Sequence, residues 1–578
     1  MKDNKIDVII LELINNFLFS IVDEMTQSTV RTSFSPITRD AFDFQCGLCN
    51  ADGEMILEGE GTLIHSLLYP TLIRDLLKNF KGSIYPGDIF ITNDPYSGAA
   101  HLPDVYMMHP IFIAEEKLVA WSVAGGHLRD VGGSVPGSCG CDSTEIYQEG
   151  LRIPPAKLYE RGVPNEMLFN IIKANTRVPM IVTGDIKAFQ SACYIGEKRF
   201  QELIKTYGWD YLHMYLDELI DYAERLTRAE IKRLPDGDYE FTDYMDDDGV
   251  NPGQTVTMHV LITIEGDTIT YDFSRTSPQV AGAINNPLGS TRATVCTCLR
   301  DMIDIDIPRN SGTFRPVNLI IPEGNLLNPR LPAACASRGA TIGRLVDLIL
   351  GAEAQIAPEK IPACAAEVDV LLNIGGYDKE GNPFIYMETF WGGWGGRPFS
   401  DGVDFNTPPF LNSGNQPCET NEEDYPVMYK QFGYVQDTEG AGKYRGSMAV
   451  IREYEFTGDN AILQLRIDRQ RFAPYGLCGG KPGALAQAVI NPDMENRSIG
   501  KITTPLKKGD VLRLVSPGAG GWGNCLERDP KLVLKDVRDG KVSVKRAKDV
   551  YGVVIEENSY EIDHEATAKL RNSMNQTK

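Results

Sequence analysis

The chain has 578 residues, 42% hydrophobic and 24% charged, the composition of a soluble globular protein with roughly three to four domain-sized units. A formal net charge of −22 and a pI near 4.9 argue against a nucleic-acid or anionic-membrane partner, since both need basic patches. No run of about 18 apolar residues occurs, which excludes a transmembrane helix. Asp3, Asp7 and Glu12 stand where a signal peptide needs a basic end and an unbroken apolar stretch, so a cytoplasmic location and mostly reduced cysteines are expected.

The first element is a helix over 5–30, where Ile6, Ile9, Ile10, Leu13, Ile14, Phe17, Leu18, Ile21, Val22 and Met25 recur at helical spacing. That apolar face is wider than a surface helix needs, which points to deep burial or a subunit contact. A turn-rich β region follows: strands at 44–48 and 54–57, a turn at Pro86-Gly87-Asp88 feeding a buried strand at 89–92, and a strand pair at 105–113 and 117–123. Residues 164–206 and 210–233 read as helices, with Pro164 at a start and Tyr211, Tyr215, Leu219, Tyr222 and Leu226 on one face. After Pro235-Asp236-Gly237 the pattern turns to strands at 239–244, 255–264 and 268–273, with a helix over 338–356. The expected fold class is α+β, or mixed α/β. Its four parts are an N-terminal helical and metal-site region (1–234), a mixed β/α region (235–367), a Gly/Pro-rich β-containing region (368–525) and a charged C-terminal tail (526–578).

Histidine is scarce, with 7 in the chain, and four of them (His65, His101, His109, His127) precede residue 130. His101 and Asp104 lie three apart in His-Leu-Pro-Asp, and His127 follows in Gly-Gly-His-Leu-Arg-Asp. Two imidazoles and a carboxylate suit zinc, manganese or ferrous iron and leave coordination positions open, as catalytic sites do. The competing reading is a set of satisfied polar residues in a loop-rich core. Pro103 argues against a helix between the ligands, and His101 and His127 are expected at strand ends or adjoining loops. Asp40, Asp43 and Asp94 are nearby acids suited to a fourth ligand or a general base, although Asn93-Asp94-Pro95 is also a strong turn signal.

Other motifs read as structural. Cys46/Cys49 and Cys139/Cys141 lack zinc-ribbon spacing and are expected to be buried thiols. Gly518-Ala-Gly-Gly-Trp-Gly523 matches G-x-G-x-x-G, but Asp529-Pro530 cuts short the helix a dinucleotide fold requires, leaving a tight turn. Trp391-Gly-Gly-Trp394-Gly-Gly-Arg397 suits a ligand wall or a protein interface. No G-x-x-x-x-G-K-[ST] occurs, so the chain carries no such ATP site.

The order of motifs resembles the B-type chain of the hydantoinase B/oxoprolinase family. It runs through Ser35-Pro-Ile-Thr-Arg39-Asp40, Phe42-Asp43, Pro86-Gly-Asp88, Thr92-Asn-Asp-Pro-Tyr96, His101-Leu-Pro-Asp104, Gly125-Gly-His127 and Gly184-Asp185. It continues with Asp272-Phe-Ser274, Ala281-Gly-Ala-Ile-Asn285, Gly440-Ala-Gly-Lys-Tyr-Arg-Gly446, the Gly turn before 524 and Leu526-Glu-Arg-Asp-Pro530. Gly446-Ser447 departs from a more usual Gly-Gly, and the large additions expected of an acetone carboxylase subunit are missing, which tilts the resemblance toward the hydrolases.

The resemblance implies one half of an ATP-dependent assembly, with an A-type partner that binds ATP and a hetero-oligomer with two copies of each subunit. It implies a metal, zinc or manganese, on His101, Asp104 and His127, with Asp40 as an additional ligand. It implies ring opening of a hydantoin, 5-oxoproline or lactam: phosphorylation of the amide oxygen makes a leaving group, and water activated at the metal attacks carbon. Asp40 or Asp94 would accept the proton, and Arg129 or Arg39 would hold the phosphate. The alternatives are a subunit of an acetone- or acetophenone-type ketone carboxylase and a non-catalytic scaffold.

Overall fold

The computed structural model describes residues 6–114, 116–303, 307–366, 370–408, 411, 414, 416–556 and 558–576. It is a mixed α+β protein, and the strands among the described residues form four sheets. The N-terminal helix, Val8–Thr32, is capped by the Asp7 carboxylate accepting the N–H of Ile9. Its wide apolar face divides in two. Leu11, Ile14, Leu18, Ile21, Val22 and Met25 are buried, whereas Ile9, Leu13 and Phe17 stay exposed as a stripe at i, i+4, i+8.

The first sheet is antiparallel, in the order Met55–Glu58, Phe44–Asn50, Lys117–His127, Asp104–Ile113, Ile89–Thr92, Ala156–Glu160, Val163–Pro164. Helices cover both faces, so its strands are apolar on both sides. Val105 and Met107 join the core built with Val8–Thr32 and Pro179–Tyr207, while Tyr106 and Met108 join the one built with Tyr69–Asn79 and Leu288–Met302. The helix expected over 164–206 is two, Glu166–Ala174 and Pro179–Tyr207, because a proline at the start of the second denies the preceding residue the helical region. Trp209–Ile231 follows.

The second sheet, in the order Val317–Ile320, Thr268–Asp272, Val256–Glu265, Gly237–Met245, packs on the buried helix Arg338–Ile356. The third sheet (Pro383–Phe390, Val370–Tyr377, Asn460–Arg466, Ile502–Lys507) and the fourth (Val427–Val435, Ala449–Phe456, Val511–Val515, Gln487–Ile490, Arg497–Ser498) enclose one core that includes Leu372, Tyr386, Leu463, Tyr454 and Leu514.

The segment read as a charged tail is folded. Pro530–Arg538, Val544–Asp549 and His564–Gln576 are helices, and Val533, Val537, Ala547 and Tyr551 bury against Ala441, Cys525 and Leu526. Its charge lies on the outer faces of short amphipathic helices, which composition alone renders as a tail. Buried Arg528 fastens the unit by donating to Asp401 (2.5 and 2.8 Å) and Asp536 (2.7 Å).

The Gly-rich 518–523 segment is a packing device: a Cβ on Gly518 would lie 1.8 Å from the Thr438 carbonyl oxygen. All twelve cysteines are free thiols; Cys46, Cys49, Cys139 and Cys141 are buried, and burial pushes the Cys46 thiol up to about 12. Among the described residues no helix is long and apolar enough to cross a membrane.

Candidate metal centre

Three segments converge at one end of the first sheet. Asp104 opens one strand, His127 closes its neighbour, and the two are paired in register. The His101–Asp104 loop is held by Asn93, whose amide donates to the carbonyls of Leu102 (2.6 Å) and Leu151 (2.9 Å) and accepts from Ile153 N–H (2.7 Å). Gly126 has no room for a side chain: a Cβ there would sit 2.5 Å from the carbonyl oxygen of Asp43, which in turn accepts the His127 N–H at 3.0 Å. The Gly-Gly-His run thus lets the chain carrying Asp43 lie against the strand end. Asp185 fixes that chain farther up, accepting the N–H groups of Phe34 and Ser35.

All three side chains are buried. His101 Nε2 lies 3.0 Å from Asp104 Oδ1, His127 Nδ1 lies 2.9 Å from the same oxygen, and the two nitrogens are 3.2 Å apart. Ligand bonds of about 2.1 Å meeting at right angles place their donor atoms about 3.0 Å apart, so the triangle matches three adjacent positions around one ion. Proton bookkeeping points the same way. His101 Nδ1 is 3.0 Å from the Ala336 carbonyl, which only an N–H can satisfy, so the neutral ring turns a bare Nε2 toward the carboxylate. Burial, only partly offset by Asp104, lowers His101 to about 4. Burial also opposes charge on His127, but there the Asp104 carboxylate outweighs it and the value rises to about 10. In the metal-free chain a proton on His127 serves the Asp104 carboxylate, and a divalent ion would take that proton's place among the three donor atoms. The donor set therefore fits a divalent metal.

The triad borders a cavity of about 120 Å³. Its described lining includes apolar Ile37, Ile342 and Met387 together with Asp43, Arg338 and Arg466. Half-buried Asp43 accepts from His65 Nε2 at 3.0 Å, and the other His65 nitrogen meets the Tyr106 hydroxyl at 2.8 Å. Although burial raises it, the hydrogen bond and charge of His65 hold the Asp43 carboxyl below its ordinary value. Arg338 donates to Asp104 Oδ2. Glu388, also on the wall, is gripped by Arg452 and the hydroxyls of Tyr386, Tyr429 and Tyr454.

The other residues singled out from sequence lie elsewhere. Arg39 and Asp40 clasp each other at 2.9 and 2.8 Å on a partly exposed turn, and neither is among the residues described as lining the cavity. Asp94 caps the short helix Pro95–Ser97 and lies 4.0 Å from Arg152. Arg129 is buried, donating to the Tyr425 hydroxyl at 2.5 Å, with the tyrosine ring 5.3 Å away. Of the two acids in the 38–43 segment, Asp43 is the one on the cavity wall. Arg338 and Arg466 escaped sequence reading because each precedes or follows a long stretch of ordinary core residues; the signal on offer was an arginine opening an otherwise buried helix.

Fold and site together define a mixed α+β protein with a buried two-histidine, one-carboxylate centre on a cavity. The model of the Hydantoinase B/oxoprolinase family matches residues 7–525, and the chain belongs to that family. It is 34% identical to a putative D-/L-hydantoinase chain of a Pseudomonas strain over 98% of each sequence. It superimposes on the ATP-dependent caprolactamase of Pseudomonas jessenii with a TM-score of 0.91 at 30% identity, covering 98% of this chain and 100% of the other. An acetone carboxylase chain shares the fold, with a TM-score of 0.92 at 18% identity over 99% of this chain and 83% of the other.

Proposed function

We propose that the chain is the metal-bearing subunit of an ATP-dependent cyclic amide hydrolase that opens a hydantoin, 5-oxoproline or related lactam ring, with ATP bound by a separate A-type subunit. The observation that carries the reading is the buried triangle of His101, Asp104 and His127, set on a cavity in a chain whose relatives above 30% identity include a putative hydantoinase. His101, Asp104 and His127 would hold the ion, zinc or manganese. When bound, it supplies Lewis-acid polarisation of a carbonyl or phosphoryl oxygen and lowers the pKa of water.

The chain's own groups account for the rest. Asp43 is an ionised carboxylate on the cavity wall, oriented by His65 and Tyr106, and takes up the proton released when water adds to the amide carbon. Apolar Ile37, Ile342 and Met387 on the wall lower the local dielectric, which strengthens charge interactions beside them. The Ile9, Leu13 and Phe17 stripe is the kind of exposed apolar surface a partner covers, and supports assembly with an A-type subunit. The ketone carboxylase alternative rests on a likeness of fold alone.

The test is to purify the chain with its A-type partner and assay ring opening against ATP. About one metal ion per chain is expected, with ATP-dependent opening of a cyclic amide. A metal-free complex with full turnover would sink the reading, and ATP turnover that needs bicarbonate and a ketone would replace it with the carboxylase.

A further inference from the structure

We propose that the cavity end of helix Arg338–Ile356 is an anion subsite for the phosphoryl group of an activated substrate, formed by Arg338 and Arg466 beside the donor triad. The inference rests on the ATP-dependent amide-hydrolase reading and names what the cavity receives from the partner subunit.

Three observations carry it. The helix is 19 residues long, its N-cap Ser337 makes no side-chain cap, and Arg338, Gly339 and Ile342 of its first turns line the cavity. The N–H groups of Arg338 and Ala340 donate to the Cys335 (3.1 Å) and Ser337 (3.2 Å) carbonyls, so the helix end contributes the positive end of its dipole, which favours an anion there. Second, Arg338 is buried on the cavity wall; one nitrogen grips Asp104, while its Nε is buried without a hydrogen-bond partner. A guanidinium held this way has donor capacity still to satisfy. Third, Arg466, the last residue of the strand Asn460–Arg466, reaches the same wall and donates at 3.3 Å to the Ala336 carbonyl, the one that also orients His101. One carbonyl thereby fixes an anion-binding arginine relative to a metal-binding imidazole.

Charge balance selects the guest. Around the cavity, the wall residues Asp43 and Glu388 and the adjoining Asp104 carry three negative charges, matched by Arg338 and Arg466 on the wall and Arg452 behind Glu388. A divalent ion on the triad then leaves two positive charges, which match a phosphoryl dianion and exceed a single carboxylate. Arg129 and Arg39, engaged with Tyr425 and Asp40, are not among the described residues that line this space.

The experiment titrates inorganic phosphate, and acetate in parallel, into the full-length metal-loaded chain by calorimetry, with metal content measured on every sample. Saturable phosphate binding is expected, with acetate much weaker. Arg466→Gln should weaken phosphate binding about 10- to 100-fold, the loss of a charge-assisted contact, with metal content unchanged. Arg466→Lys keeps the charge without the two-pronged geometry and should fall between; it carries the test if Arg466→Gln does not fold. Equal phosphate affinity in wild type and either variant, or acetate bound as well as phosphate, would overturn the proposal. A His101→Ala/His127→Ala chain separates the two readings, since without metal the Arg466 dependence should persist on a weaker baseline.

Discussion

Two buried clusters of charge share the helix Arg338–Ile356 and differ in kind. In one, Arg469 donates to Asp243 (3.0 Å), Asp347 (2.6 Å) and the Cys364 thiol (3.1 Å), while Arg344 spans Asp243 (3.3 Å) and Asp468 (3.4 Å). Signs alternate, and the network ties the helix to the second sheet and to the segment after Asn460–Arg466. In the other, His101, Asp104 and His127 bring three metal-ligand atoms together on the edge of a cavity, with Arg338 of the same helix holding the carboxylate. In the first cluster opposite charges pair directly with one another; the second is a donor set that fits a cation. Burial of charge alone is therefore no sign of function, whereas like-natured donors converging on a cavity are.

The comparison can be broken by exchanging the roles of the two clusters. His127→Ala should lose the metal and cut turnover of the assembled complex at least roughly 100-fold, with little change in the thermal unfolding of the metal-free chain. Elemental analysis beside a melting curve decides it, and full turnover in the variant would remove the triad from the chemistry. Arg469→Met should do the reverse. It leaves Asp347 without its hydrogen-bonded cation and Asp243 with Arg344 alone, costs about 3–5 kcal/mol, and lowers the denaturation midpoint while folded molecules keep their metal. A variant of wild-type stability would mean that the network is dispensable.

A smaller effect sharpens the link between scaffold and centre. Glu149 is buried, accepts the N–H groups of Cys335 (2.6 Å) and Ala336 (2.8 Å), and is pushed up to about 8 by burial against those two hydrogen bonds. Its folded-state value lies above its unfolded one, so between pH about 4.5 and about 8 the folded chain binds the extra proton and stability falls as pH rises. Glu149→Gln should flatten that slope, by about 1–3 kcal/mol at the alkaline end, as read from denaturant midpoints across pH. An unchanged slope would show that the carboxyl is already ionised. Smallest is Tyr106→Phe, which removes the hydroxyl from His65 and should cost about 1 kcal/mol along with a modest loss of turnover. If Asp43 is the base, the acid limb of the pH–rate profile should shift with it; a profile that stays fixed would make the contact purely structural.

Much was legible in local pattern. The helix over 338–356 appears with those bounds, the strands around residue 105 and residue 120 pair as expected, and the scarce histidines bracket that pair. These succeed because hydrophobic period and turn chemistry act over a few residues. The charged end of the chain misled, since an amphipathic helix seated on a body built elsewhere carries its charge outward and shows nothing of the seat.

The sequence by itself determined the family, through the order of its motifs, and the three donor types, because scarce side chains at strand ends announce themselves. Only the tertiary structure decided their company. Asp43 rather than Asp40 reaches the cavity, Asp94 caps a turn, Arg129 turns to Tyr425, and Arg338 and Arg466 arrive from more than 200 residues away. The physical reason is that spacing along the chain governs which residue types a turn or strand admits, while the direction a side chain faces is set by the register of strands and helices paired across the whole fold.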